Sequence, residues 1–216
     1  MMKTSHQNQS AAVVHRSLAD IWIVGGGPSL KGFDFNALRG NHVMCCNDTF
    51  LSLPWADSVV SLDRQWIRNR VRQLEAFAGR KYLCHRHGEA VPEISDAVEL
   101  EFRTEPGLSH SWEYVHGSTT GYAALNIAVL LGYRNIGVLG FDYYDGGHWH
   151  DEYDWTSATD AACWRQWAAA FTSMVPALRD KAIRVINYNP RSAISAFSKQ
   201  DFSEIGEHYA TSQHVG

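Results

Sequence analysis

The sequence is short of what most function classes display. It has no apolar run of about 18 residues, so no membrane-spanning helix is expected. Its opening stretch, MMKTSHQNQSAAVVH, has no apolar core of signal-peptide length. Residues 1–17 therefore read as a flexible lead, and residues 18–216 as a single domain. No internal repeat and no low-complexity linker marks a second domain. Charge of one sign is also scarce. Nineteen Lys and Arg against 23 Asp and Glu leave a formal charge of −4, which excludes a strongly basic nucleic-acid binder. The four cysteines, Cys45, Cys46, Cys84 and Cys163, show neither zinc spacing nor a disulfide framework. Buried thiols in a reducing compartment are expected, and with them a cytoplasmic location. What is plentiful is aromatic. Eight tryptophans and nine tyrosines exceed the needs of one such core, so some are expected to line a cleft or an interface.

The chain is organised around Ile21–Leu30, IWIVGGGPSL. Four apolar residues read as a buried strand, and the glycines, proline and serine that follow end it abruptly. Further apolar runs follow at His42–Cys46, Ala56–Ser61, Asn135–Gly140 and Arg184–Asn187, with weaker candidates at Lys81–His85 and Val98–Phe102. Several end in small or polar clusters, as in a parallel sheet whose carboxyl edge carries function. Between them, Leu30–Gly40 reads as a turn and a short helix, and Asp63 caps a helix reaching Phe77. Thr120–Leu131 reads as a buried helix stopped by Gly132, and residues 157–180 as another helix. Thr104–Ser118 reads as a long aromatic loop, a natural lid or acceptor-side wall, and the tail as a helix or a frayed end. The expected fold is α/β and Rossmann-like, with a mainly parallel sheet and helices on both faces.

Four constellations carry chemistry. The turn Gly25, Gly26, Gly27, Pro28, Ser29 can present backbone N–H groups to phosphate oxygens; a tight turn without a ligand reads equally well. It is neither a GxGxxG fingerprint nor a P-loop. Asn47, Asp48 and Asp63 close two strands. They suit ribose hydroxyls or base edges, and equally suit local capping. Asp142–Asp151 packs three acids, Tyr143, Tyr144, His148, Trp149 and His150 into ten residues. Histidine titrates near neutrality, so His148 and His150 suit proton transfer, with a solvated loop as the alternative. Asp142 or Asp145 can hold magnesium beside phosphate. Asn187–Ser192 ends the last strand; Arg191 there can neutralise a diphosphate, and Asn-Pro is also an ordinary turn.

Four blocks, taken in order, carry a resemblance: GGGPSLKGFDFNAL, CNDTF, TTGYAALNIAVLLGYRNIGVLGFDYY and NYNPRS. They resemble the bacterial sialyltransferases that build lipo-oligosaccharide outer sugars. They are also similar to the wider group with 6-hydroxymethylpterin diphosphokinases and uncharacterised phage proteins. The resemblance implies a Rossmann-like fold and a CMP-sugar donor held by the glycine turn and by asparagines at strand ends. Carried over by position, Gly25, Gly27, Pro28 and Ser29 match the donor turn, and Gly26 stands where that family has asparagine. Asn47 matches a donor-contacting asparagine, and Asp63 falls near another. Thr120 and Gly121 match a donor-contacting hydroxyl residue and the glycine after it. Tyr144 matches a tyrosine near the donor phosphate, and His150 falls where a second one stands. Asn189 and Ser192 sit in a matching turn. The family's histidine base lies in a lid segment absent from this chain, leaving His148 or His150 to substitute.

The expected function is a nucleotide-dependent transferase, most simply a glycosyltransferase with a CMP-sugar-like donor and no required cofactor. The nucleotide set is Gly25–Ser29, Asn47, Asp63, Thr120, Gly121, Asp142, Asn189 and Ser192; Tyr144, His148 and His150 serve the chemistry. The acceptor is not legible, and a nucleic-acid acceptor gains no support from the charge. The alternatives are a magnesium-dependent diphosphokinase with ATP as donor and Asp63, Asp142 or Asp145 on the metal, and a non-catalytic nucleotide-binding phage protein.

Overall fold

The computed structural model describes residues 19–144, 147–149 and 161–205. At its centre is β1, Ile21–Val24, with all four side chains buried. On one side of it lie β2 (His42–Cys46), β3 (Ser58–Ser61), β4 (Arg80–His85), β5 (Ala97–Arg103) and β6 (Tyr114–His116). On the other lie β7 (Asn135–Leu139), β8 (Arg184–Asn187) and β9 (Ser198–Lys199). The order is β6-β5-β4-β3-β2-β1-β7-β8-β9. Every neighbouring pair is parallel, so the expected Rossmann-like α/β architecture is present.

Parallel strands need crossovers over the sheet faces, so both faces must be apolar. The strands supply this by alternation. Ile21, Ile23, Met44, Cys46, Val60, Ile136 and Val138 face one layer. Trp22, Val24, Val43, Cys45, Val59 and Leu139 face the other. The adjacent cysteines thus point to opposite faces, and burial pushes the Cys46 thiol up to about 12. The second layer holds α1 (Thr49–Ser52), α2 (Arg64–Asn69) and α3 (Val71–Ala76), through Phe50, Trp66, Ile67 and Leu74. The first holds α4 (Thr120–Leu130), α5 (Ala161–Ala170) and α6 (Val175–Asp180). Each fully buried large side chain in these layers contributes roughly 1.5–3 kcal/mol.

The chain lays down β1 to β6 in one direction. Then α4, buried from Thr120 to Ala128, carries it back across the sheet to β7 on the far side of β1. The strand order reverses there, so β1 and β7 flank the crevice where open α/β sheets place ligands.

Several elements differ from the sequence expectation. The helix expected from Asp63 to Phe77 breaks at Arg70 (φ −110, ψ 12), whose guanidinium is drawn 2.7 Å from the buried Asp48 carboxylate. The expected loop Thr104–Ser118 contains β6, three residues too short to show alternation. The expected helix 157–180 is α5, a 3-10 turn at Phe171–Met174 and α6; its first four residues lie outside the described ones. Pro176, at the start of α6, lacks the N–H that would continue an upstream ladder. Instead of one short helix, Leu30–Gly40 holds a 3-10 turn at Phe35–Leu38, preceded by another at Pro28–Leu30, and the tail, helical at 203–205 as expected, also contributes β9. The expected lead 1–17 lies outside the described residues. Among the described residues, no helix is long and apolar enough to cross a membrane.

Gly137 shows how tightly the second layer is packed. A Cβ there would meet the Trp22 ring at 2.5 Å, and Trp22 itself is wedged against Tyr188 with ring centroids 4.9 Å apart. Gly137→Ala is expected to destabilise the fold by about 1–3 kcal/mol. Urea unfolding should show a lower midpoint at unchanged m-value; an unshifted midpoint would mean the sheet yields at no cost.

Candidate functional site

The glycine turn leaves β1 at the carboxyl edge, against the exit of β7. Gly25 N–H donates to Leu139 O (2.7 Å) and Gly27 N–H to Gly140 O (3.0 Å), so the ladder continues past both strands. The approach is close enough to require glycine. A Cβ on Gly27 would lie 1.6 Å from Asp142 Oδ2 and 2.5 Å from Gly140 O. Gly140 itself takes φ +66. The carbonyls of the turn are used as well: Gly25 O accepts from Thr49 Oγ1 (3.3 Å) and Trp149 Nε1 (3.2 Å), and Gly26 O from Trp149 N (3.2 Å). Pro28 has no N–H, and Ser29 N–H donates to Asp142. Of the five residues expected to cradle phosphate, Gly26 alone keeps an N–H without a partner among the described residues.

Asp142 ties three strand exits together. It is 2% exposed. Its Oδ2 accepts from Ser29 Oγ (2.9 Å) after β1, and its Oδ1 from Asn189 Nδ2 (2.5 Å) after β8; the Tyr144 hydroxyl donates to it as well. Burial holds this carboxyl above the usual aspartate range, and the hydrogen bonds from Ser29, Tyr144 and Asn189 pull the other way. Asn189 Oδ1 accepts from Arg191 N (2.9 Å), and Ser192 Oγ donates to Phe141 O (2.6 Å). The sequence-predicted residues Ser29, Asp142, Tyr144, Asn189 and Ser192 are thus brought together, largely bonded to one another.

The second part of the site is the N-terminus of α4. Thr119 caps it, accepting from Tyr122 N (3.4 Å), so Thr120 is the first helical residue. The N–H groups of Thr120 and Gly121 precede the first intrahelical bond and have no partner among the described residues. An eleven-residue helix also directs its positive dipole end there. Asn47, in the left-handed region at φ +49, flanks this end from the β2 exit, its Oδ1 accepting from Thr120 Oγ1 (3.2 Å). Tyr143, also left-handed at φ +55, flanks it from the β7 exit, sharing a 2.7 Å hydrogen bond with Thr119 Oγ1. Burial pushes its phenol up. Gly121 has a packing reason, since a Cβ there would meet the Tyr143 hydroxyl at 2.7 Å. Trp164 of α5 stands edge-on to Tyr143, with centroids 6.4 Å apart.

The remaining expected residues separate. His148 Nδ1 lies 3.1 Å from Gly26 O. A carbonyl only accepts, so Nδ1 carries the proton and Nε2 is the basic nitrogen of the neutral ring. Asp63 caps α2, its Oδ1 accepting from Gln65 N (2.9 Å) and Trp66 N (3.0 Å), the capping role already weighed for it. Asp48 is fully buried and holds Trp66 Nε1 (2.8 Å) and Arg70. Asp145 and His150 lie outside the described residues. Among the described residues no group of three or more His, Cys, Asp or Glu is placed to hold a metal. Thr119 and Trp164 add to the residues expected from sequence, the TT pair before an apolar helix being the signal for Thr119, whereas Tyr143 belongs to the expected Asp142–Asp151 stretch. A cavity of about 700 Å³ bounded by Trp55, Asp57, Arg80 and Lys81 opens at the starts of β3 and β4, on the opposite edge from all of these residues.

No protein-family profile matches the chain, and no curated protein matches it in sequence. Among solved structures it is similar to the MAf glycosyltransferase from Magnetospirillum magneticum AMB-1, at 15% identity and a TM-score of 0.56. The match covers 90% of this chain and 37% of that one, so the chain spans well under half of the protein it resembles. At this identity the likeness is one of fold.

Two outcomes test the Asp142 pin. Gly27→Ala should cost about 3 kcal/mol, because the new methyl displaces the carboxylate; a near-neutral denaturation midpoint contradicts this. For pH, a carboxyl raised on folding contributes stability that is full below the unfolded aspartate value of about 3.9 and lost as pH climbs through the folded value. Wild type should therefore lose stability relative to Asp142→Asn across that interval, then run parallel to it. Wild type gaining on the variant with rising pH would show the opposite shift.

Proposed function

We propose that the chain is a nucleotide-dependent transferase, a glycosyltransferase whose donor is a nucleotide sugar of the CMP-sugar kind. The observation that carries this reading is the N-terminus of α4 at the switch point. Two amides without a partner among the described residues and a helix dipole meet there, between Asn47 and Tyr143. An anion is the ligand such a site takes. The fold shared with a glycosyltransferase and the four resembling blocks support a phosphate that carries a sugar.

In this reading the donor phosphate lies on Thr120 N–H and Gly121 N–H. Asn47 addresses the nucleoside, on the β2 side. When the bond between the anomeric carbon and the phosphate oxygen breaks, that oxygen keeps the electron pair. The helix end stabilises the charge as it develops, the larger part of such catalysis. The acceptor hydroxyl bonds to the anomeric carbon and gives its proton to His148 Nε2, set by the bond from Nδ1 to Gly26 O. A base in this role adds about two to four powers of ten. Tyr144 is drawn toward Asp142 and sits near Arg191, whose charge offsets part of its raised phenol pKa; Arg191 is the cation at hand for the phosphate of the leaving CMP.

The magnesium-dependent diphosphokinase fits the residues less well. Both Asp142 oxygens accept hydrogen bonds from within the chain, so a metal there would first have to break the pin. The four free cysteines, three of them buried, suit a cytoplasmic setting.

Thermal-shift measurements with CMP, UDP, GDP, ATP and CMP-sialate, each with and without magnesium, test this reading. A ligand at a hundredfold excess over Kd adds about 2.7 kcal/mol, or about 5–10 °C for a chain of this size. The expected result is a shift with CMP species that does not need magnesium. A shift only with ATP and magnesium favours the diphosphokinase, and no shift with any nucleotide removes both. Once turnover is found, His148→Ala should lower it by about 100-fold or more; an unchanged rate takes His148 out of the mechanism. Nucleotide binding without turnover on any acceptor leaves the non-catalytic alternative.

A further inference from the structure

α5 carries an apolar stripe at helical spacing: Trp164, Trp167 and Ala168, continued by Phe171. Its inner half is accounted for by the core, since Ala168 and Phe171 are 4% and 0% exposed. Its outer half is not. Trp164 and Trp167 are only partly buried, and they meet each other edge to face, with centroids 5.4 Å apart and planes at 85°. Trp164 reaches the site through Tyr143, but Trp167 has no ring contact other than Trp164 among the described residues. Neither indole N–H has a hydrogen-bond partner among the described residues, although a half-buried tryptophan ordinarily finds one. Two large apolar rings are thus held in a right-angled corner, with neither N–H bonded among the described residues.

We infer that this corner is the sugar-ring subsite of the acceptor, a pyranoside. The inference rests on the transferase reading above. A pyranose presents an apolar C–H face and a rim of hydroxyls, which complements an indole face bounded by an N–H donor. The placement also separates acceptor from nucleoside. Asn47 flanks the α4 N-terminus from the β2 exit, and Tyr143 with Trp164 flanks it from the β7 exit, so β1 lies between the two sides. A donor phosphate at Thr120 then has its nucleoside on one side and the aromatic corner on the other. The hydroxyls of Tyr143 and Thr119, 2.7 Å apart, lie between corner and phosphate.

Saturation-transfer NMR on the full chain tests this, with methyl β-galactopyranoside, methyl α-glucopyranoside and N-acetylneuraminic acid as probes. Transfer to the ring protons of at least one probe is expected, weaker by about fivefold or more in Trp167→Ala and in Trp164→Ala. Trp167→Phe should retain part of it. The nucleotide-induced thermal shift should be the same in wild type and Trp167→Ala. Trp167 touches only one ring among the described residues, so its variant should fold normally; unchanged near-UV and far-UV circular dichroism, apart from the missing indole, checks this. The inference fails if no probe receives saturation from wild type, or if transfer is undiminished in both alanine variants. It also fails if Trp167→Ala abolishes the nucleotide shift, which would make the corner a nucleobase stack. A wild type that binds a glycoside at the corner but responds to no nucleotide would overturn the transferase reading and leave the sugar site standing.

Discussion

The site depends on one buried carboxylate. Asp142 sits where the exits of β1, β7 and β8 converge, and it accepts hydrogen bonds from Ser29 on one side and Asn189 on the other. Removing a carboxylate from water is costly, and here donors from separate elements offset part of that cost. The result is geometric. The glycine turn is drawn under the β7 exit so closely that Gly27 has no room for a side chain. The β8 turn is latched alongside through Ser192 and through Ala193 N–H, which donates to Asp142 O (2.8 Å).

That closeness decides what the glycines do. In a dinucleotide-binding fold the helix after β1 delivers backbone amides to phosphate. Here β1 is followed by a three-residue 3-10 turn, and the turn's amides are mostly spent on β7 and Asp142. The helix end with open amides among the described residues comes from α4, which is distant in sequence and reaches the same edge because the chain crosses back over the sheet. The switch point is kept, and a different helix supplies its positive end. Tyr143 and Asn47, both in the left-handed region, are the residues whose backbones bend to frame it.

The fold was legible because parallel strands buried on both faces leave an unmistakable trace. IWIV, HVMCC and NIGVL are runs that only a central sheet accommodates, and each was found within a residue of its true limits. Elements set by tertiary contacts were not. Nothing in the sequence around Arg70 announces a helix break, because its cause is a carboxylate 22 positions away. The site shows the same division. Gly25–Ser29, Asn47, Thr120, Asp142 and Asn189 do converge on the carboxyl edge. Their division into a pinned framework and an open helix end depends on which hydrogen bonds close first, and no spacing records that. Gly121 reads as a ligand contact in sequence, and in the structure Tyr143 already explains it.

The central claim is that the α4 N-terminus, rather than the glycine turn, receives the donor phosphate. Amide chemical-shift mapping on ¹⁵N-labelled protein, titrated with CMP, tests it most directly. The account predicts the largest perturbations at Thr120 and Gly121, a smaller one at Gly26, and little change at Gly25 and Gly27, whose N–H groups are already bonded to β7. Perturbations centred on Gly25–Gly27 with Thr120 and Gly121 unmoved would contradict it.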